Sequence, residues 1–204
     1  MSGVHFDDVR SSAIRAFHEA GLARNAQDNS GPSAFGDGVW LWIETNHRCN
    51  TLLWDEEDQA RRRDVADAAI VANKRAIDGF NQRRNDAIEK IDEALLLRLA
   101  GITAAPNAWH NSESAGSIVD RLSILALKIF HMHAQATRAD TSEEHRVTCL
   151  AKHARFQRQG SDLGGCLDAL FACSIEGRAY WRIYRQFKMY NEATLNPYLY
   201  GGKR

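Results

Sequence analysis

Apolar residues recur along this chain at spacings of three and four, and no alternating run of β-branched residues marks a strand. That period places Val9, Ala13, Phe17 and Ala20 or Gly21 on one face of a helix from about His5 to Ala26. After the loop DNSGPSAFGDG, a second helix begins near Val39 and reads VWLWIETNHRCNTLLWDEEDQARR, with Trp40, Ile43, His47, Asn50 and Trp54 near one stripe. A third spans about Asp64 to Leu99; Gly79 weakens it without a proline to end it, and Gly101 stands where a C-terminal cap belongs. The fourth runs from Ile118 to about Ala136, capped by Ser114 or Ser117.

Thr141 and Glu144 have capping-box spacing for a fifth helix. A sixth covers about Leu163 to Ile175, and Gly177 separates it from a seventh, RAYWRIYRQFKMYN. Pro32, Pro106 and Pro197 all lie where the rhythm has stopped. The expectation is an all-α, single-domain helical bundle of about seven helices over residues 1–204. The second, third, fourth and seventh should build its interior.

Polar residues beside these apolar seams point to a site. On the third helix Lys74, Asp78, Asn81, Asn85, Ile88 and Asp92 share one face, next to the seam of Ile77, Phe80, Ala87, Ile91 and Leu95. Asparagine is a poor helix former, so two of them a turn apart ask for a hydrogen-bonding reason. A hydrated pocket between helices supplies one. On the fourth helix Ser117, Arg121, Ile124, Lys128 and His131 fall on one line through an apolar run, which puts Arg121 and Lys128 at least partly inside. Such charges need a ligand, or structural partners such as Asp78, Asp92 or Glu89. The second helix adds Glu44, His47, Asn50 and Asp58, although a histidine on such a face is commonly a core residue.

Composition narrows the options. Among 204 residues, 26 basic and 26 acidic side chains cancel, so no field draws nucleic acid or an anionic membrane to the surface. No run approaches a spanning helix, and the N-terminus lacks a signal-peptide core, which implies a cytoplasmic protein. Cys49, Cys149, Cys166 and Cys173 lack C-x-x-C spacing and read as small buried apolar residues. Glu44 and His47 have the Glu-x-x-His spacing of a di-iron ligand pair, but no second pair accompanies them, so neither a metal nor a cofactor is expected. Phosphate-binding glycine loops and serine-hydrolase elbows are also missing.

The segments LLWDEEDQAR, IDGFNQRRNDAIEKID, GSIVDRLSILALKIFHM and YRQFKMYNEATLNPYLY together resemble the bacterial family catalogued as domain of unknown function 4254. The resemblance implies an all-helical domain, and its phrases hold the polar residues Asp58, Asn81, Arg84, Asn85, Asp86, Glu89, Asp92, Asp120, Arg121, Lys128, Arg185 and Lys188. The chain is also similar to the ring-closing proteins of aziridine-containing natural-product pathways, in which an amine displaces a sulfate ester within one molecule.

That similarity implies a metal-free biosynthetic enzyme for a polar, anion-bearing metabolite. Glu44, His47, Asp58 or Glu89 then takes the proton, and Asn50, Asn81 and Asn85 orient the substrate. Arg121 and Lys128, with Arg84, Arg185 or Lys188, bind the leaving anion. The alternative is a noncatalytic helical partner of another biosynthetic enzyme, and the aromatic AYWRIYRQF suits a homo- or hetero-oligomeric interface. The enzyme reading requires Arg121 and Asn85 to face one cavity.

Overall fold

The computed structural model describes residues 4–23, 33–187, 189 and 192–199. A single 3-10 turn, Asp7–Val9, leads into α1, Ser11–Ala23. Then come α2 (Gly38–Gln59), α3 (Asp67–Arg98), α4 (Ala115–Ala136) and α5 (Glu143–Ile175), with the two-residue strands β1 (Trp109–His110) and β2 (Ala179–Tyr180). The described residues thus hold five α-helices, where the spacing predicts seven. No helix among them is long and apolar enough to cross a membrane.

Both missing helices have physical explanations. The expected fifth and sixth are one element, α5, because the glycines between them lie where α1 crosses. A Cβ on Gly164 would come within 2.9 Å of Ser11 Oγ, so packing there outweighs the roughly 1 kcal/mol that a mid-helix glycine costs. Ser142 rather than Thr141 caps α5, accepting from the His145 N–H at 3.2 Å. Over residues 178–187 the expected seventh helix is not helical, and part of its remainder lies outside the described residues. Gly177, at φ +69°, ends α5 in a left-handed turn, and a Cβ there would meet the Thr103 carbonyl at 2.8 Å.

Beyond Gly177 the chain runs parallel to β1, pairing Trp109 with Ala179 and His110 with Tyr180. Ala179 and Trp181 are buried while Arg182 and Tyr184 are exposed, a period-two pattern of aromatic and branched residues that favours an extended chain. Gly101 does not take the left-handed cap conformation expected of it.

α2 packs along α3, α4 packs along α5, and α4 touches each of the other four helices. Its central place follows from its sequence, since between Ala115 and Ile129 only Arg121 is exposed. The core joins Ile14, Ile43, Ile91, Leu95, Leu122 and Leu167. Thus α1 and α5 contribute to the interior alongside α2, α3 and α4, and Trp181 enters it from the extended segment. Asp168 of α5 accepts from the Ser11 N–H (2.8 Å) and hydroxyl (2.7 Å), tying the first turn of α1 to α5. Cys49 and Cys149 are buried as expected of small apolar residues, but Cys166 is exposed.

Candidate functional site

The asparagine stripe of α3 meets the N-terminus of α4 at a cavity of about 360 Å³. Asn85, Ile88, Glu89 and Asp92 form the α3 wall, and Ser112, Ser114 and Ser117 form the α4 side. The third wall is the extended strap after β2, which contributes Arg182, Ile183, Tyr184, Arg185 and Gln186.

Asn85 is only 5% exposed, yet among the described residues its side-chain amide makes no hydrogen bond. A buried amide ordinarily finds a partner. Its hydrogen-bonding capacity is left for whatever enters the cavity.

Asp92 is 2% exposed. Its Oδ1 accepts from the Gly116 N–H at 2.8 Å and from the Trp181 indole N–H at 3.0 Å, so an α3 carboxylate caps α4 and anchors the root of the strap. Burial raises its carboxyl to about 6, helped by the neighbouring charge of Glu89 and opposed by the donors around it. Close approach makes this arrangement possible, because Gly116 presents no side chain where α3 and α4 cross.

Glu89 holds the far end of the strap. Its Oε2 accepts from Arg185 at 2.9 Å and its Oε1 from the Gln186 N–H at 3.0 Å, while Arg185 also reaches Glu93 at 2.7 Å. Arg182 is exposed, lies 5.7 Å from the centre of the Tyr180 ring, and among the described residues has no carboxylate partner.

Beside this cavity lies a buried polar network. Asn46 and Asn50 both donate to Asp120 Oδ1, at 2.8 and 2.9 Å, and Asn50 also donates to Ser123 at 3.1 Å. Arg84, adjacent in sequence to Asn85, lies with Nε 3.9 Å from Asp120. His47 Nδ1 and Ser123 Oγ share a 2.8 Å hydrogen bond, and the His47 ring stacks on His18 at 4.5 Å. Burial holds both imidazoles neutral, His47 at about 4 and His18 well below its ordinary value, where the His47 charge adds to the effect. With its ring bound to Ser123 and packed on His18, His47 is buried and is not among the residues that line the cavity.

These groups give opposite pH dependences. Unfolded imidazoles protonate near 6.5, so the stability conferred by neutral His18 and His47 is full above that pH and is lost as pH falls toward about 4. Asp92 has its folded value raised, so its contribution is full below 3.8 and is lost as pH rises through about 6. His47 and Asp92 each account for about 3 kcal/mol across their windows. Urea unfolding from pH 4.5 to 8 should therefore show a steeper acid loss in Asp92→Asn than in the wild type. Equal slopes would mean that Asp92 ionises in the fold as freely as in the open chain.

The remaining candidates lie elsewhere. Arg121, with a side chain 55% exposed, pairs with Glu113 at 2.7 Å; the expected burial fails because it points away from the seam that Leu122 fills. Lys128 is half-buried over the Phe156 ring, at 5.8 Å. Both line a separate groove of about 830 Å³ between α4 and α5, so the expected meeting of Arg121 with Asn85 is not found in these two cavities. Glu44 accepts from Ser33 and from the Ala34 N–H, and Asp58 is exposed. Asn81 is half-buried and does not line the Asn85 cavity. Lys188 lies outside the described residues. Trp40 packs on Phe17 and Phe35, and Trp54 stacks on His131 at 4.4 Å.

Of the candidate residues, the structure therefore gathers Asn85, Glu89 and Arg185 into one cavity, and Asn50, His47 and Arg84 into the adjoining network. Asp92, Arg182 and the three serines were not singled out as site residues, although Asp92 stands on the asparagine stripe about two turns beyond Asn85. Among the described residues no group of three or more His, Cys, Asp or Glu side chains is placed to hold a metal ion.

A family model described as "Protein of unknown function (DUF4254)" matches residues 40–183, a span that includes every helical wall of the cavity and the first strap residues. No curated protein and no solved structure matches the chain.

Proposed function

Because the chain belongs to the DUF4254 family, whose description assigns no activity, we propose its function from the cavity itself: a cytoplasmic, cofactor-independent biosynthetic enzyme acting on a small polar metabolite that bears an anionic group. The carrying observation is the buried Asn85, with an unspent amide beside the Asp92 carboxyl. An amide orients, a carboxyl with a value near neutrality accepts a proton, and a guanidinium such as Arg182 receives an anion.

Ring closure by displacement uses these three roles. The substrate amine attacks its own sulfate-bearing carbon, the C–O bond breaks, and its electron pair departs with sulfate toward Arg182. The proton released from nitrogen passes to Asp92 or Glu89. Asn85 holds the chain folded for in-line attack, a positioning effect that makes a small misplacement costly.

Incubation with aminoalkyl sulfate esters of graded length, followed by measurement of free sulfate, tests this reading. Asn85→Ala should lower kcat/KM about 10- to 100-fold. Its melting temperature should hold, since the lost amide has no protein partner. Sulfate release no faster than the uncatalysed rate for every ester would end the displacement reading.

A second reading, a noncatalytic partner that binds and stabilises another biosynthetic enzyme, is favoured by the exposed aromatics of the strap, where Tyr184 is 62% and Phe187 85% exposed. Aromatic groups left in water at that level suit a dimer interface. Tyr184→Ser with Phe187→Ser should then abolish co-purification with the partner while sparing the fold.

A further inference from the structure

The charges of the cavity wall balance. Two carboxyl groups, Glu89 and Asp92, stand on α3, and two guanidinium groups, Arg182 and Arg185, stand on the strap. Glu89 and Arg185 satisfy one another across the cavity, and Arg185, with a side chain 56% exposed, also pairs with Glu93. The Glu89 side chain is only 17% exposed, so an anion that takes Arg185 alone leaves a covered carboxylate without its guanidinium. An amine that takes Glu89 leaves Arg185 to Glu93 and gains nothing from Arg182, which has no carboxylate partner among the described residues. A ligand carrying both charges engages both walls and leaves Glu89 paired.

We propose that the cavity selects a small zwitterion, with its anionic end held by Arg182 and Arg185 and its ammonium end held by Glu89 and the Asn85 carbonyl, the ligand exchanging partners with the Glu89–Arg185 pair. This deepens the reading of the cavity as the site and rests on it. The exchange also loosens the far end of the strap, which Glu89 otherwise holds through Arg185 and the Gln186 N–H, so admission of the ligand is coupled to the strap.

The test uses calorimetric titration of the full chain with ω-aminoalkanesulfonates of two to six carbons, set against the alkanesulfonates and alkylamines of matching length. At least one zwitterion should bind tenfold or more tightly than both of its half-ligands. Glu89→Gln, nearly isosteric and still able to accept from Gln186, should bring the zwitterion down to the affinity of the plain sulfonate. Arg182→Gln, at an exposed position, should weaken zwitterion and sulfonate alike, and unchanged circular dichroism in both variants secures the comparison. Half-ligands as tight as every zwitterion, no binding by any zwitterion, or wild-type affinity in Glu89→Gln would each overturn the assignment. Sulfonates have no leaving group, so the outcome is independent of turnover: zwitterion binding without sulfate release from the esters removes the enzyme reading alone, and sulfate release with equal half-ligand affinity removes the zwitterion alone.

Discussion

Gly116→Ala lowers the stability of the chain by about 3 kcal/mol or more, at the upper end of what overpacking a tight interface costs. The added Cβ would sit 2.5 Å from the Ile88 carbonyl and 2.9 Å from Asp92 Oδ2. Neither neighbour is the free end of a flexible side chain. The first is main chain of α3, and the second belongs to a carboxylate fixed by Gly116 itself and by Trp181. Relief therefore requires α3 and α4 to part, which lengthens the Gly116 N–H bond to Asp92 and opens the cavity. Gly165→Ala is the control: nothing lies within 4 Å of its Cβ position, so removing a mid-helix glycine there should stabilise by about 0.5–1 kcal/mol. Urea midpoints that shift equally in the two variants would contradict the close approach on which the site depends.

Asp92→Asn lowers turnover about 100- to 10,000-fold, the range expected when a general base is lost. Asparagine keeps an Oδ1 acceptor for the Gly116 and Trp181 donors, so the strap root and the α4 cap survive while proton acceptance does not. The pH dependence carries the same signature. In the proposed ring closure Asp92 works ionised, and burial holds its carboxyl at about 6, so wild-type kcat/KM should fall as pH drops through that value and level above it. Stopped assays of sulfate release from pH 5 to 8 check both statements. A variant with near-normal turnover, or an acid limb that persists in it, would move the base to Glu89.

The helical character of the molecule and the register of its polar stripes were readable from spacing alone. Asn85, Glu89 and Asp92 keep a helical register that any straight α3 must obey, and the structure places all three on one wall. α4 was readable as a buried helix for the same reason, since its apolar run leaves little surface for water. Arg121 was misjudged because a helix so deeply buried still has one narrow exposed line, and its long side chain follows that line to Glu113. The strap was misjudged because Arg, Gln and aromatic residues satisfy a helical period and a two-residue period at once, and only the pairing of Ala179 and Tyr180 with β1 selects the extended form. The fifth and sixth helices were read as two because local spacing does not register α1, the neighbour that packs against Gly164 within α5.

By itself, then, the sequence determined the all-α class, the helical faces and which of those faces carried polar groups, because backbone geometry repeats every few residues and needs no distant partner. Tertiary structure alone decided which faces meet. It set the strap against α3, gave Asp92 to Gly116 and Trp181 across 24 and 89 residues of chain, and sent Arg121 and Lys128 to another groove. Those outcomes follow from contacts between residues far apart in the chain, whose hydrogen bonds and close approaches exist only after the helices have packed.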